Sequence, residues 1–257
     1  MTAREDIAFL AGSELRIEAL FALRTETATP TELAERCSCA RETAQRTVSA
    51  FVDRGWAEKV STQEGYRLTR AGGLVADGYE DFEACVSVSN EYREFLVNLS
   101  GAELDLDCHE LSDLTLTRAT SENPHAPINR FREVVGDEPV GEFFGITPIV
   151  SRMFNRAAAR VIGPDSRIEL VIDEGVLSAS ASEFTEDLER AERLDQFTLY
   201  LSPEPLEFGL MLVDGHAYLG AYDEGTLVAS VDGRTDVFRK WATETFERVR
   251  ERSTEKL

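Results

Sequence analysis

Apolar residues recur at helical spacing from the start of the chain, where Ile7, Leu10, Ala11, Ile17, Leu20, Phe21 and Leu23 mark one buried stripe. Gly12-Ser13 reads as a break or fresh cap within it. Thr29 stands before Pro30, a residue suited to the first helical position, so a second helix runs to about Arg36 with Leu33 and Ala34 inward. After a short Cys37-Ser38-Cys39 turn, Ala44, Val48, Phe51 and Val52 form the apolar stripe of a third helix over 40–54, leaving Arg41, Thr43, Gln45, Arg46 and Ser49 largely off it. Gly55 follows where a left-handed residue is favoured. Residues 56–60 and 66–69 read as two short strands joined by a turn with its tip at 61–65.

Helix, turn, helix and a two-stranded wing over residues 6–79 make a winged helix-turn-helix, a module that reads DNA. The polar face of the 40–54 helix is what such a helix presents to base edges in the major groove. Lys59 and Arg67 on the wing strands fall where the phosphate backbone or minor groove would run.

Thr69 caps a further helix from about residue 70 into the nineties, carrying Leu74, Val75, Tyr79, Phe82, Val86, Tyr92, Phe95 and Leu96. So much apolar surface is too large for the winged domain to cover, and pairing with a second copy would suit palindromic half-sites. Beyond it, strand-like runs at 104–107, 114–117, 168–172, 197–201, 208–213, 217–222 and 227–231 alternate with helical runs at 128–135, 148–161, 182–193 and 235–252. Asp214-Gly215 and Asp223-Glu224-Gly225 are hairpin turns, making the last three strands an antiparallel meander. The expected fold class is α/β and multi-domain. It comprises an N-terminal winged helix-turn-helix (1–79), a long connecting and dimerisation helix (80–100) and a C-terminal mixed α/β domain (101–257).

The formal net charge of −21 is unevenly spread: residues 1–79 carry only −2 of it and the remainder −19. The segment expected to meet phosphate is thus spared the acidity. Lysine occurs only at Lys59, Lys240 and Lys256, and an acidic, lysine-poor surface suits a protein that stays soluble at molar salt, where self-repulsion is screened within a few ångströms. No stretch approaches the roughly 18 apolar residues of a membrane span, and the first residues lack the apolar core of a signal peptide. A cytoplasmic location is expected, and with it four cysteines held as thiols.

Several groups carry candidate chemistry. Arg152, Arg156 and Arg160 lie at i, i+4 and i+8, one face of a helix, and guanidinium forks suit phosphate or carboxylate. Arg130 could complete such a site. A solvated row paired to acidic neighbours is the plainer alternative. Cys37 and Cys39 precede the recognition helix, where oxidation or metal capture would disturb DNA binding, although two thiols are too few for a structural zinc site. The scattered His109, His125 and His216 suggest no metal site. Enzyme motifs are missing: no histidine has a lysine two positions on, and there is no Gly-x-Ser-x-Gly elbow, P-loop or dinucleotide glycine fingerprint.

Leu10-Ala11-Gly12-Ser13 with Arg16, Thr43 through Arg46, Arg54-Gly55-Trp56, Tyr66-Arg67-Leu68-Thr69 and Gly72 together resemble the haloarchaeal winged-helix regulators whose C-terminal half is a methanogenesis-regulatory-protein type of sensor domain. The resemblance continues through Asn123-Pro124-His125-Ala126-Pro127, Phe144-Gly145-Ile146-Thr147-Pro148, Glu207-Phe208-Gly209-Leu210 and Trp241 with Phe246. One departure stands out: that family commonly starts the recognition helix with serine, and this chain has Ala40. A cap worth about 1 kcal/mol is then absent unless Ser38 supplies it. The resemblance implies a DNA-binding repressor or activator with a ligand-responsive domain. The combined expectation is a homodimer on double-stranded operator DNA, controlled by a small anionic effector, with no cofactor, no catalytic residues and no membrane partner. A thiol- or metal-responsive regulator using Cys37 and Cys39, and a protein–protein adaptor reusing the winged fold, remain alternatives.

Overall fold

The computed structural model describes residues 2–60, 65–191 and 193–256, which divide into two compact units, Met1–Ala84 and Cys85–Leu257. In the first, helix α1 (Ala3–Ala11) opens with a reciprocal capping box between Thr2 and Glu5. It stops at Gly12, where a Cβ would lie 2.8 Å from the Ala8 carbonyl oxygen. Helix α2 (Glu14–Thr25) starts afresh, so the break at Gly12-Ser13 is real. Helix α3 (Pro30–Arg36) has a second capping box, Thr29 with Glu32, and Pro30 in its first turn. A turn through Ser38, at φ 49°, leads to α4 (Arg41–Asp53). Ala40 sits at its N-cap with no side-chain hydrogen bond, so the missing cap is not replaced by Ser38.

Gly55 takes φ 71°, and strands β1 (Ala57–Val60) and β2 (Gly65–Leu68) pair antiparallel with Ala57 opposite Leu68. Of the expected wing tip at 61–65, residues 61–64 lie outside the described residues and Gly65 opens β2. Leu20, Leu33, Val48 and Phe51 are fully buried at the centre, with Leu10, Leu23, Ala44 and Trp56 around them. Val52, expected in that stripe, is 40% exposed, and Thr47 is buried instead. Helix α5 (Arg70–Glu91) begins under a hydrogen bond from the Gly72 amide to the Thr69 hydroxyl. Gly72 is obligatory there, because a Cβ would come 2.0 Å from the Trp56 carbonyl oxygen.

The second unit takes the last turns of α5 and then α6 (Arg93–Asn98), so residues 80–100 are not one continuous helix. Tyr92 interrupts them, buried with its hydroxyl donating to the Leu114 carbonyl at 2.9 Å. There follow α7 (Cys108–Ser112), β3 (Thr115–Arg118), α8 (Ala126–Val135), β4 (Val140–Ile146), α9 (Arg152–Val161), β5 (Ile162–Ile172), α10 (Glu174–Glu183), α11 (Thr185–Ala191), β6 (Phe197–Leu201), β7 (Phe208–Val213), β8 (His216–Asp223), β9 (Thr226–Gly233), α12 (Asp236–Arg252) and β10 (Thr254–Glu255). One sheet of eight strands runs β10-β6-β5-β4-β7-β8-β9-β3. β4, β5 and β6 are parallel, joined by helical crossovers, and the other pairings are antiparallel. The expected meander is β7-β8-β9, its two turns having positive φ at Asp214-Gly215 and Glu224-Gly225.

Helix α12 covers one sheet face, with Phe246 stacked on Phe144 at 5.3 Å. Phe131 of α8 and Phe154 and Val161 of α9 pack with Phe143, Ile168 and Tyr218 in a separate core.

Three further expectations need correction. Residues 104–107 form no strand: Asp107 caps α7 instead, while Leu104 and Leu106 still pack on the core. The helix expected over 182–193 is two helices, α10 beginning as early as Glu174 and α11 following. The cysteines are not all thiols, because Cys85 of α5 and Cys108 of α7 form a disulfide with Cα atoms 5.0 Å apart. Tertiary folding brings them together across 23 residues, which spacing alone did not show.

Candidate nucleic-acid interface and C-terminal cavity

Ala44, Thr47, Val48 and Phe51 hold α4 against the first core, which turns the opposite side of the helix outward. Arg41, Arg46 and Ser49 are exposed there, with Thr43 and Gln45 half-buried at its margins. Their mutual hydrogen bonds are long: Arg46 Nη2 to Thr43 Oγ1 at 3.4 Å, Gln45 Nε2 to Ser49 Oγ at 3.2 Å and to the Tyr66 hydroxyl at 3.5 Å. Such bonds exchange readily for a ligand's.

The arginines of this unit sort by what they hold. Arg54 is fastened to Asp6 at 3.0 Å and stacks 3.6 Å over the Phe9 ring. Arg24 bridges Asp77 and Glu80, and Arg36 holds Glu26. Arg41 and Arg46 on α4, and exposed Lys59 on β1, make no ion pair with a described residue. Arg67, also expected at the interface, lies directly across the ladder from Glu58 and pairs with it at 2.7 Å, so its charge is partly compensated.

Cys37 is buried and Cys39 partly so, both free. Burial pushes the Cys37 thiol up, with Glu18 adding to the effect, which disfavours the reactive thiolate. Among the described residues no three His, Cys, Asp or Glu side chains gather as a metal site would require.

In the second unit the four arginines expected to bind an anion are not brought together. Arg130 grips Asp232 through both carboxylate oxygens, at 2.8 and 2.7 Å, and His216 Nε2 reaches the same carboxylate at 2.8 Å. Asp232 is 1% exposed, so Arg130 is committed to compensating a buried charge. Arg152, Arg156 and Arg160 do share one face of α9, but that face points to solvent, and Arg160 pairs with Asp137 at 2.7 Å. The inward side of α9, with Phe154 and Ala158, lines a cavity of about 200 Å³ between the sheet and helices α8 to α11.

That cavity was not anticipated. Its walls include Phe131, Phe143, Leu170, Phe197 and Tyr222, and two of its strand positions are Gly145 and Gly209. Gly209 was visible in the strand-like run 208–213, where a glycine marks close approach to something above it, whereas Gly145 lies in β4, a strand the sequence did not mark.

Residues 124–252 match the family described as the methanogenesis regulatory protein FilR1, middle domain, and residues 4–91 match the HVO_A0261 N-terminal domain. No curated protein matches the chain at a significant level. Among solved structures, TrmBL2, described as an archaeal chromatin protein with a novel mode of DNA binding, aligns over 95% of this chain and 94% of its own at 12% identity and a TM-score of 0.43. The adhesin competence repressor AdcR of Streptococcus pyogenes aligns over 39% of this chain and 86% of its own at 14% identity and a TM-score of 0.26. An IclR homologue from Microbacterium hydrocarbonoxydans, complexed with 4-hydroxybenzoate, covers 92% and 98% at 11% identity and a TM-score of 0.23. The family assignment rests on the sequence matches, the first of which spans half of the chain. The chain belongs to the archaeal helix-turn-helix regulators that share the FilR1 middle domain.

Proposed function

We propose that the chain is a homodimeric, sequence-specific regulator of transcription that binds double-stranded DNA through α4 and is controlled by a small molecule bound in its C-terminal domain. The observation that carries this reading is the outward face of α4, where Arg41, Thr43, Gln45, Arg46 and Ser49 lie together and the two arginines have no acidic partner among the described residues. In a chain of net charge −21, unpaired guanidinium groups on one helix face are the groups suited to bidentate contact with guanine. Lys59 and Arg67 would hold the wing to the phosphate backbone.

A second copy is supported by apolar side chains left uncovered on α5, with Leu74 70% and Phe82 63% exposed. An effector would act by favouring one arrangement of the paired winged domains, which requires different affinity for the two arrangements. No helix of the described residues is long and apolar enough to cross a membrane, and the compartment proposed is the cytoplasm. The thiol-responsive alternative is weakened by the burial of Cys37, and the adaptor alternative leaves the unpaired arginines without a task.

The test is Arg46→Ala against duplexes selected by the wild-type chain from a random pool. We expect discrimination between selected and scrambled duplexes to fall by about 1–3 kcal/mol, with the oligomeric state unchanged. A variant that discriminates as wild type does overturns the placement of the reading face.

A further inference from the structure

The cavity of the second unit has a composition that narrows what could occupy it. It is bounded by aromatic and aliphatic side chains from β4 to β8 and from α8 to α11. Its strand surface is opened by glycine: a Cβ on Gly145 would lie 2.9 Å from the Leu170 Cδ1, and one on Gly209 would lie 2.6 Å from the Tyr222 hydroxyl. The Tyr222 ring thus lies over backbone stripped of side chains, at the edge of space that an ordinary strand would fill.

Tyr222 also has an unusual polar situation. Its hydroxyl makes no hydrogen bond to a described residue, and burial alone pushes its pKa well up, so it remains a neutral donor at any physiological pH. Tyr218, which lines the same cavity, is satisfied by the Pro127 carbonyl at 2.8 Å. Ser180, buried on α10, adds a second hydroxyl without a partner among the described residues. Neither hydroxyl is sealed off, since Ser230 Oγ is the buried unsatisfied side-chain atom among the described residues, so both are open to a ligand bearing a hydrogen-bonding group.

Charge argues against an anion. Arg152, Arg156 and Arg160 are exposed and do not line the cavity, Arg130 is held by Asp232, and Arg190, which does line it, already has a partner. Volume limits the size: an apolar cavity of about 150 Å³ takes up benzene, so about 200 Å³ admits one ring with a small substituent or an aliphatic molecule of similar bulk.

We infer that this cavity is the effector site and that it takes a small, uncharged, largely apolar molecule, a single aromatic ring or its aliphatic equivalent, carrying one hydroxyl or carbonyl that bonds to Tyr222. This rests on the sensor role proposed above and replaces an anionic effector with an apolar one. The ring would pack against the apolar walls, and the polar substituent would fix its orientation.

Calorimetric titration of the full chain with p-cresol, toluene, benzoate and inorganic phosphate tests it, alongside Tyr222→Phe and the cavity-filling Ala158→Leu. The expected pattern is saturable p-cresol binding, about tenfold weaker toluene binding, and neither benzoate nor phosphate heat. Tyr222→Phe should remove the tenfold advantage of p-cresol while leaving toluene unchanged, and Ala158→Leu should abolish both while still binding selected duplex. Binding of phosphate or benzoate in preference to p-cresol overturns the inference, as does the absence of any p-cresol binding to a chain that binds its duplex. Saturable p-cresol binding with no change in duplex affinity keeps the site and overturns its role as sensor. A chain that binds p-cresol but no duplex overturns the regulator reading alone.

Discussion

Arg130 and Arg46 are chemically the same residue in opposite surroundings, and what separates them is the company each keeps. Arg46 is exposed with only a long contact to Thr43, whereas Arg130 compensates a carboxylate that is 1% exposed. Burial would raise the pKa of Asp232, but hydrogen bonds from His216 and Arg130 outweigh it and hold the carboxyl below its ordinary value. Arg130→Ala should therefore cost about 3 kcal/mol of stability at neutral pH, as buried charges left without a partner do, and urea unfolding of the two proteins would measure it. The folded carboxyl ionises at lower pH than the unfolded one. Its contribution is then complete above the unfolded value of about 3.9 and is lost as pH falls below it, so the gap between wild type and variant should close in acid. A gap that persists undiminished would assign the loss to packing. The sequence showed Arg130 as a cation beside other cations, and nothing local disclosed a partner 102 positions away. Most residues of α4 were legible because helical spacing largely decides which of them face out, Val52 and Thr47 being the exceptions.

At the scale of elements, legibility followed burial pattern. The caps at Thr29 and Thr69, the break at Gly12 and the hairpin glycines are local chemistry, and they sit where the residues said they would. Strand β4 is central, with neighbours on both sides and packing on both faces, so it shows no polar alternation to mark it. Residues 104–107 show alternation without being a strand, because Leu104 and Leu106 reach the core from an irregular segment that ends in the cap of α7. The Cys85–Cys108 disulfide joins α5 to α7 across 23 residues. Closing a loop of that length stabilises by about 3 kcal/mol in the chain-entropy account. Adding reductant should lower the unfolding midpoint of the wild-type chain and leave a Cys85→Ser variant unmoved. Equal shifts in both would show that the bond contributes nothing.

For the whole molecule, electrostatics and function pull in different directions. A net charge of −21 repels DNA as a whole, and the near-neutral first 79 residues confine the contact to the winged unit. Phosphate contacts weaken steeply with salt, so on the function proposed here discrimination at high salt would come from base edges and apolar burial, and the α4 face would carry it. The fold class and the outward exposure of the α4 polar face were legible from residue order, while the cavity was not, since it is assembled from strands and helices far apart in the chain. Occupancy of the tagged chain across its host's genome, measured by crosslinking and immunoprecipitation for wild type and for Arg46→Ala, tests the central claim most directly. Sharp wild-type peaks at promoters sharing an inverted repeat, lost in Arg46→Ala, are the expected result. No wild-type enrichment at any promoter, or identical peaks in the two proteins, would contradict it.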